Sequence, residues 1–155
     1  MKEPLRVVLV ENDHLTQEDA IEDLQKYLNS QVTTYSAESD FRNSLDSFRN
    51  SPPDIFIFGL WVRWTHPAPV MPEAPIEVLE GEYNHHYGAG MRMARLIAED
   101  PRTANTPVVI WDCLDEEELK APFKNQIPFN VHFLTRLSAQ ENFIKGLRAI
   151  LENRY

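Results

Sequence analysis

The nine residues Pro53-Asp54-Ile55-Phe56-Ile57-Phe58-Gly59-Leu60-Trp61 constrain this chain most. Their apolar run does not alternate with polar residues, so both of its faces must be covered, as in the middle of a parallel sheet. A glycine at the end of such a strand reads as a special backbone position. In open α/β sheets ligands sit beyond the carboxyl ends of the strands. The end of this strand is therefore where function is expected, and Gly59 stands there without a side chain.

The rest of the chain supplies partners for that strand. Leu5–Val10 is a first buried strand, rich in β-branched residues, leading into Glu11-Asn12-Asp13-His14. Thr16 with Asp19 reads as a capping box for a helix carrying Ala20, Ile21, Leu24, Tyr27 and Leu28 and ending near Asn29. Gln31–Tyr35 is a short strand, and Phe41, Leu45 and Phe48 mark a second helix at i, i+4, i+7 spacing, stopped by Pro52-Pro53. Beyond the central strand, Gly90 opens a helix with Met91, Ala94, Leu96 and Ile97. Pro107–Trp111 is a fourth strand ending in Asp112-Cys113. Asp115 to Lys120 is an acidic helix start, favoured by the helix dipole. Phe129–Leu134 is the fifth strand, and Ser138 to Glu141 reads as a capping box for a last helix built on Phe143, Ile144, Leu147, Ile150 and Leu151.

Strands alternating with helices predict an α/β fold: a flavodoxin-like, doubly wound, five-stranded parallel sheet of order 2-1-3-4-5. In that order the ends of strands 1, 3 and 4 meet at one crevice. The pattern breaks from about residue 62 to 89, an insert after strand 3 holding Pro67, Pro69, Pro72 and Pro75 and three of the five histidines. It exceeds the roughly 2–6 residues of an ordinary connection. Ile76–Leu79 reads as a short extra strand or helical turn. The aromatic residues Trp61, Trp64, Tyr83 and Tyr87 predict either a lid packed on the crevice or a protein-docking surface.

At 155 residues the chain reads as a single domain over 1–155, enough to bury about two-thirds of its unfolded surface. No apolar run approaches the ~20 residues of a membrane span, and Met1-Lys2-Glu3-Pro4 leads directly into a strand without the pattern of a signal peptide. Cys113 is the only cysteine, which precludes an internal disulfide and fits a reducing cytoplasm. A net charge of −9 argues against nucleic acid or an anionic membrane as partner.

Few residues suggest metal or nucleophilic chemistry. His66, His85 and His86, near Glu80 and Glu82, lack the spacing of a known metal motif, so no metal site is expected. Cys113 follows Asp112, whose charge disfavours a thiolate. There is no nucleophile elbow and no glycine-rich phosphate loop, so neither an enzyme nor a cofactor is expected.

Four segments in order resemble the receiver domain of response regulators. They are Val7–Asn12, Pro53–Phe58, Asp100–Ile110 and Phe133–Arg136. The resemblance implies a two-component signalling module, and it covers nearly the whole chain apart from the insert. The positions of its phosphorylation pocket depart from the family. Gly59 replaces the phosphoacceptor aspartate, and a glycine cannot form an acyl phosphate. Asp54 lies at the strand's other end, roughly 15 Å away at ~3.3 Å per residue. Of the metal-binding acidic pair, Glu11 keeps a carboxylate and Asn12 does not. Asp112 replaces the hydroxyl of strand 4, Arg136 the lysine of strand 5, and Leu137 the proline after it. Phe133 takes the place of the aromatic switch residue. Glu11 and Asp112 flanking Arg136 form either a fixed ion-pair cluster or solvated surface charges. What the resemblance implies is an atypical, phosphorylation-independent pseudo-receiver acting through a protein partner, with homodimerisation through its fourth and fifth helical region. The competing expectation is a small-molecule sensor using the crevice and the insert.

Overall fold

The computed structural model describes residues 3–66, 73–79 and 88–153. Along the chain run β1 (Leu5–Val10), α1 (His14–Leu28), β2 (Ser30–Tyr35), α2 (Glu38–Asn43), α3 (Leu45–Asn50) and β3 (Ile55–Phe58). They are followed by α4 (Ile76–Leu79), α5 (Ala89–Glu99), β4 (Val108–Asp112), α6 (Glu116–Lys120), a 3-10 turn (Ala121–Phe123), β5 (Val131–Thr135) and α7 (Gln140–Glu152). The sheet is five-stranded with order β2-β1-β3-β4-β5, and every pair is parallel, as the sequence predicts.

All four residues of β3 are buried, because helices cover both faces of the sheet. Phe56 and Phe58 join Val8, Val10, Val108 and Ile110 against α2, α3 and α5. Ile55 and Ile57 join Val7, Leu9, Val109 and Trp111 against α1 and α7. On the first face Phe41 lies 5.0 Å from Phe58 and 6.2 Å from Phe56, both edge to face, and stacks on Phe48 at 5.6 Å. Each such ring contributes about 1.5–3 kcal/mol through burial.

Several local expectations are corrected. The cap of α1 is Asp13, not Thr16: the Asp13 carboxylate accepts from the Thr16 N–H, and the Thr16 hydroxyl donates to it as well. The aspartate one turn earlier offers the better acceptor. The predicted second helix is two short ones, broken at Ser44, whose φ of −102° and ψ of 3° leave the helical region. Ser138 does not cap α7. Its hydroxyl donates to the Thr135 carbonyl, and Ala139 occupies the cap without a side-chain bond. The two-sided capping box is found at α6, between Asp115 and Glu118. Strand β5 begins at Val131, leaving Phe129 exposed. Of the two readings open for residues 76–79, the helical turn is the one found.

The register aligns the strand ends. Val10 is opposite Phe58, and Asp112 opposite Thr135, so Glu11, Gly59, Asp112 and Arg136 lie along the same sheet edge. The exit of β3 is held from two sides. Leu60 accepts from the Gly90 N–H at 3.0 Å, and Arg63 and Trp64 accept from the N–H groups of Glu38 and Ser39, both at 2.8 Å. The fully buried Glu38 carboxylate receives Arg42 from its own helix and Arg92 from α5.

Gly90 is required by this close approach. A Cβ there would lie 2.6 Å from the Gly59 carbonyl oxygen and 2.9 Å from the Leu60 Cα, both rigid backbone atoms. Gly90→Ala should lower stability by about 1–2 kcal/mol in urea unfolding: overpacking of about 1–3 kcal/mol exceeds the up to ~1 kcal/mol that alanine adds in a helix.

Candidate functional site

The crevice at the carboxyl edge of the sheet is built around one guanidinium. Arg136 follows β5, and its N–H donates to the Asp112 carbonyl at 2.8 Å, which fixes the loop beside β4. Its Nη2 donates to Glu11 Oε2 at 2.7 Å and to Asp112 Oδ1 at 3.3 Å, and its Nη1 to the Thr16 hydroxyl at 3.3 Å. The Arg136 Cζ sits over the Trp111 ring, 4.6 Å from its centroid, and that indole stacks on Phe143 at 4.4 Å. These are not solvated surface charges. Glu11 is 4% exposed.

Each acceptor in the crevice is met by the chain's own donors. Glu11 Oε1 accepts from the Asp13 N–H at 3.1 Å. Asn12 Oδ1 accepts from the Arg63 N–H at 2.9 Å and from Arg63 Nε at 3.0 Å. Asp112 Oδ2 accepts from the N–H groups of Leu60 and Trp61 at 2.9 and 3.3 Å, and Oδ1 from that of Cys113 at 2.8 Å. Gln17, buried beneath, donates to the carbonyls of Glu11 and Tyr35 and to the Ser36 hydroxyl, tying β1 to β2.

Gly59 has no unusual backbone torsion; among the described residues no glycine has a positive φ. That corrects the expectation of a special backbone position. The constraint is space: a Cβ at residue 59 would lie 2.8 Å from Glu11 Oε2. The glutamate, one methylene longer than aspartate, reaches into the volume a side chain at 59 would use, and Arg136 holds it there.

The chain matches no family model, and no curated protein is similar to it. Solved structures are similar over nearly its full length. The chemotaxis response regulator CheY4 of Vibrio cholerae matches with TM-score 0.65 and 16% identity, covering 96% of this chain and 99% of that one. The signal receiver domain of an HD domain-containing protein from Pseudomonas fluorescens gives 0.63 and 14%, covering 98% and 90%. The receiver domain of a sensor histidine kinase from Pseudomonas aeruginosa, whose structure has magnesium coordinated in its active-site cleft, gives 0.61 and 14%, covering 97% and 100%. The chain has the receiver fold.

Glu11, Gly59, Asp112 and Arg136 lie together at this edge. Asn12 adjoins them but turns to Arg63. Phe133 is half-buried, edge-on to Phe123 at 5.4 Å, with the Lys120 ammonium 5.7 Å from its ring centre. Trp61 is half exposed. Trp64 lies under the Arg42 guanidinium, 5.5 Å from its ring centre. Tyr83, Tyr87, Glu80, Glu82, His85 and His86 lie outside the described residues, and His66 pairs with Asp40 at 3.3 Å. Sequence reasoning missed Trp111, Thr16 and Arg63 as members of this edge. For Trp111 a signal existed in its place immediately before Asp112 at a strand end.

A divalent cation does not fit here. Both Glu11 oxygens and the Asn12 oxygen are engaged, and Arg136 places a positive charge among the carboxylates. Among the described residues no group of three or more histidine, cysteine, aspartate or glutamate side chains could hold a metal ion.

Two measurements probe this arrangement. Gly59→Ala should destabilise the protein by about 1–3 kcal/mol. In a Glu11→Asp background the penalty should shrink, giving a coupling above about 0.5 kcal/mol in a double-mutant cycle. Burial pushes the Glu11 carboxyl above its ordinary 4.5, the Arg136 guanidinium pulling the other way. Ionised Glu11 is thus penalised in the folded state. The stability its neutral form contributes below the ordinary value is lost as pH rises through the folded one. Compared with Glu11→Gln, which cannot ionise, wild type should gain relative stability in urea as pH falls from about 7 to about 4.5.

Proposed function

We propose that this chain is a receiver-like regulatory module, a single domain over 1–155, that acts by binding a protein partner without passing through a phosphorylated state. The observation that carries this reading is the filled pocket. Arg136 clamps Glu11 and Asp112 together, and Glu11 takes the space of the missing side chain at residue 59. Phosphoryl transfer to a receiver needs a carboxylate nucleophile and charge neutralisation beside it. Here position 59 offers no nucleophile, and the flanking acids are already engaged by Arg136. Asp54, at the opposite end of β3, accepts from the Arg6 N–H at 2.8 Å and has a structural task.

The same filling argues against the small-molecule reading, since the crevice is occupied by its own side chains. It also leaves no nucleophile–base pair for an enzyme. No helix among the described residues is long and apolar enough to cross a membrane, and the net charge of −9 opposes binding to polyanions. A protein surface remains the partner class that composition and fold favour, a second copy of this chain included.

Incubation with acetyl phosphate and Mg²⁺, followed by intact mass measurement, tests the central claim. The mass should stay unchanged. A phospho-adduct that appears with acetyl phosphate and decays on hydroxylamine treatment would sink the reading.

A further inference from the structure

Asp112 differs from the other acids of the crevice in what it binds. Its carboxylate receives three main-chain N–H groups, from Leu60, Trp61 and Cys113, together with Arg136 Nη2. The Cys113 bond is a local turn of the kind aspartate makes anywhere. The other two amides are not local: they lie 52 and 51 residues away in sequence, in the loop after β3. Main-chain amides from two loops, converging with a guanidinium on one point, are how proteins hold oxyanions.

We propose that the edge is an oxyanion-binding site for which Asp112 is the built-in ligand. The inference rests on the phosphorylation-independent reading and names how that state is maintained. The carboxylate joins the exits of β3, β4 and β5: Leu60 and Trp61 from the first, Cys113 from the second, Arg136 from the third. The loop after β3 is gripped on its other side by the Gly90 N–H on Leu60 O, so the anion closes a clamp around it. An external oxyanion is redundant while Asp112 is in place. Once the carboxylate is removed, the vacated donors would accept a small oxyanion such as inorganic phosphate.

Asp112→Ala tests this with thermal unfolding in inorganic phosphate, against sodium chloride at matched ionic strength. The variant should melt below wild type and regain stability saturably with phosphate but not chloride, while wild type responds to neither. Absence of a phosphate-specific rise in the folded variant, or an equal rise in wild type, would overturn the proposal. Should Asp112→Ala fail to fold, Asp112→Asn decides by amide hydrogen exchange. Removing the charge while keeping the shape should accelerate exchange at Leu60 and Trp61 by roughly tenfold or more, leaving core-strand amides unchanged. Unaltered exchange at those two amides would overturn it. A phospho-adduct on wild type would instead strike the functional reading alone, because the donors around Asp112 are read out separately.

Discussion

The Arg136 guanidinium is the contact on which the functional edge depends. It bonds two carboxylates at the ends of different strands and a hydroxyl from α1, and it sits over the Trp111 ring. A planar guanidinium can donate hydrogen bonds at its edge while it sits over an aromatic ring. An ammonium would satisfy the charges without the stack. Its remaining Nε is buried without a hydrogen-bond partner, as is Trp111 Nε1, so the stack shields polar atoms at a penalty of about 1–3 kcal/mol each. Such an arrangement fixes geometry more than it adds stability, in keeping with the modest or negative net worth of buried ion pairs.

From this contact the surrounding sequence becomes intelligible. With Glu11 drawn toward Arg136, its Oε2 lies within the space of a Cβ at residue 59, and glycine is the residue that fits. Independently of that, α5 lies so near the β3 exit that a Cβ at Gly90 would come within 2.6 Å of the Gly59 carbonyl oxygen and 2.9 Å of the Leu60 Cα. Two glycines, one facing a side chain and one facing backbone, thus border the β3 exit.

Much of the fold was legible because it rests on periodicity. The unalternating run at Ile55–Phe58 specified a central strand, and the order of apolar segments specified the sheet. The charges at Glu11, Asp112 and Arg136 could be brought together once strand order was known. What stayed hidden depended on lengths and angles. Whether Thr16 or Asp13 capped α1 turned on which oxygen faced the first free N–H, and Ser138 resembled a cap yet bonded back to Thr135. The break at Ser44 left no mark in the apolar spacing of Phe41, Leu45 and Phe48. The steric relation between Glu11 and Gly59 was out of reach, since only coordinates show where a glutamate oxygen ends. Arg63 on Asn12, and the Leu60 and Trp61 amides on Asp112, are likewise long-range and involve main-chain groups, to which sequence patterns are blind.

Two buried charge clusters flank the β3 exit, and their division of labour follows from composition. Around Glu38 one fully buried carboxylate receives two guanidinium groups, joining α2 to α5. Around Arg136 one guanidinium receives two carboxylates, joining β1 to β4. The signs are opposite, so the main-chain segment 59–64 runs between an excess of positive charge and an excess of negative charge. Its carbonyls at Arg63 and Trp64 are bonded at the α2 side, and its amides at Leu60 and Trp61 at the Asp112 side.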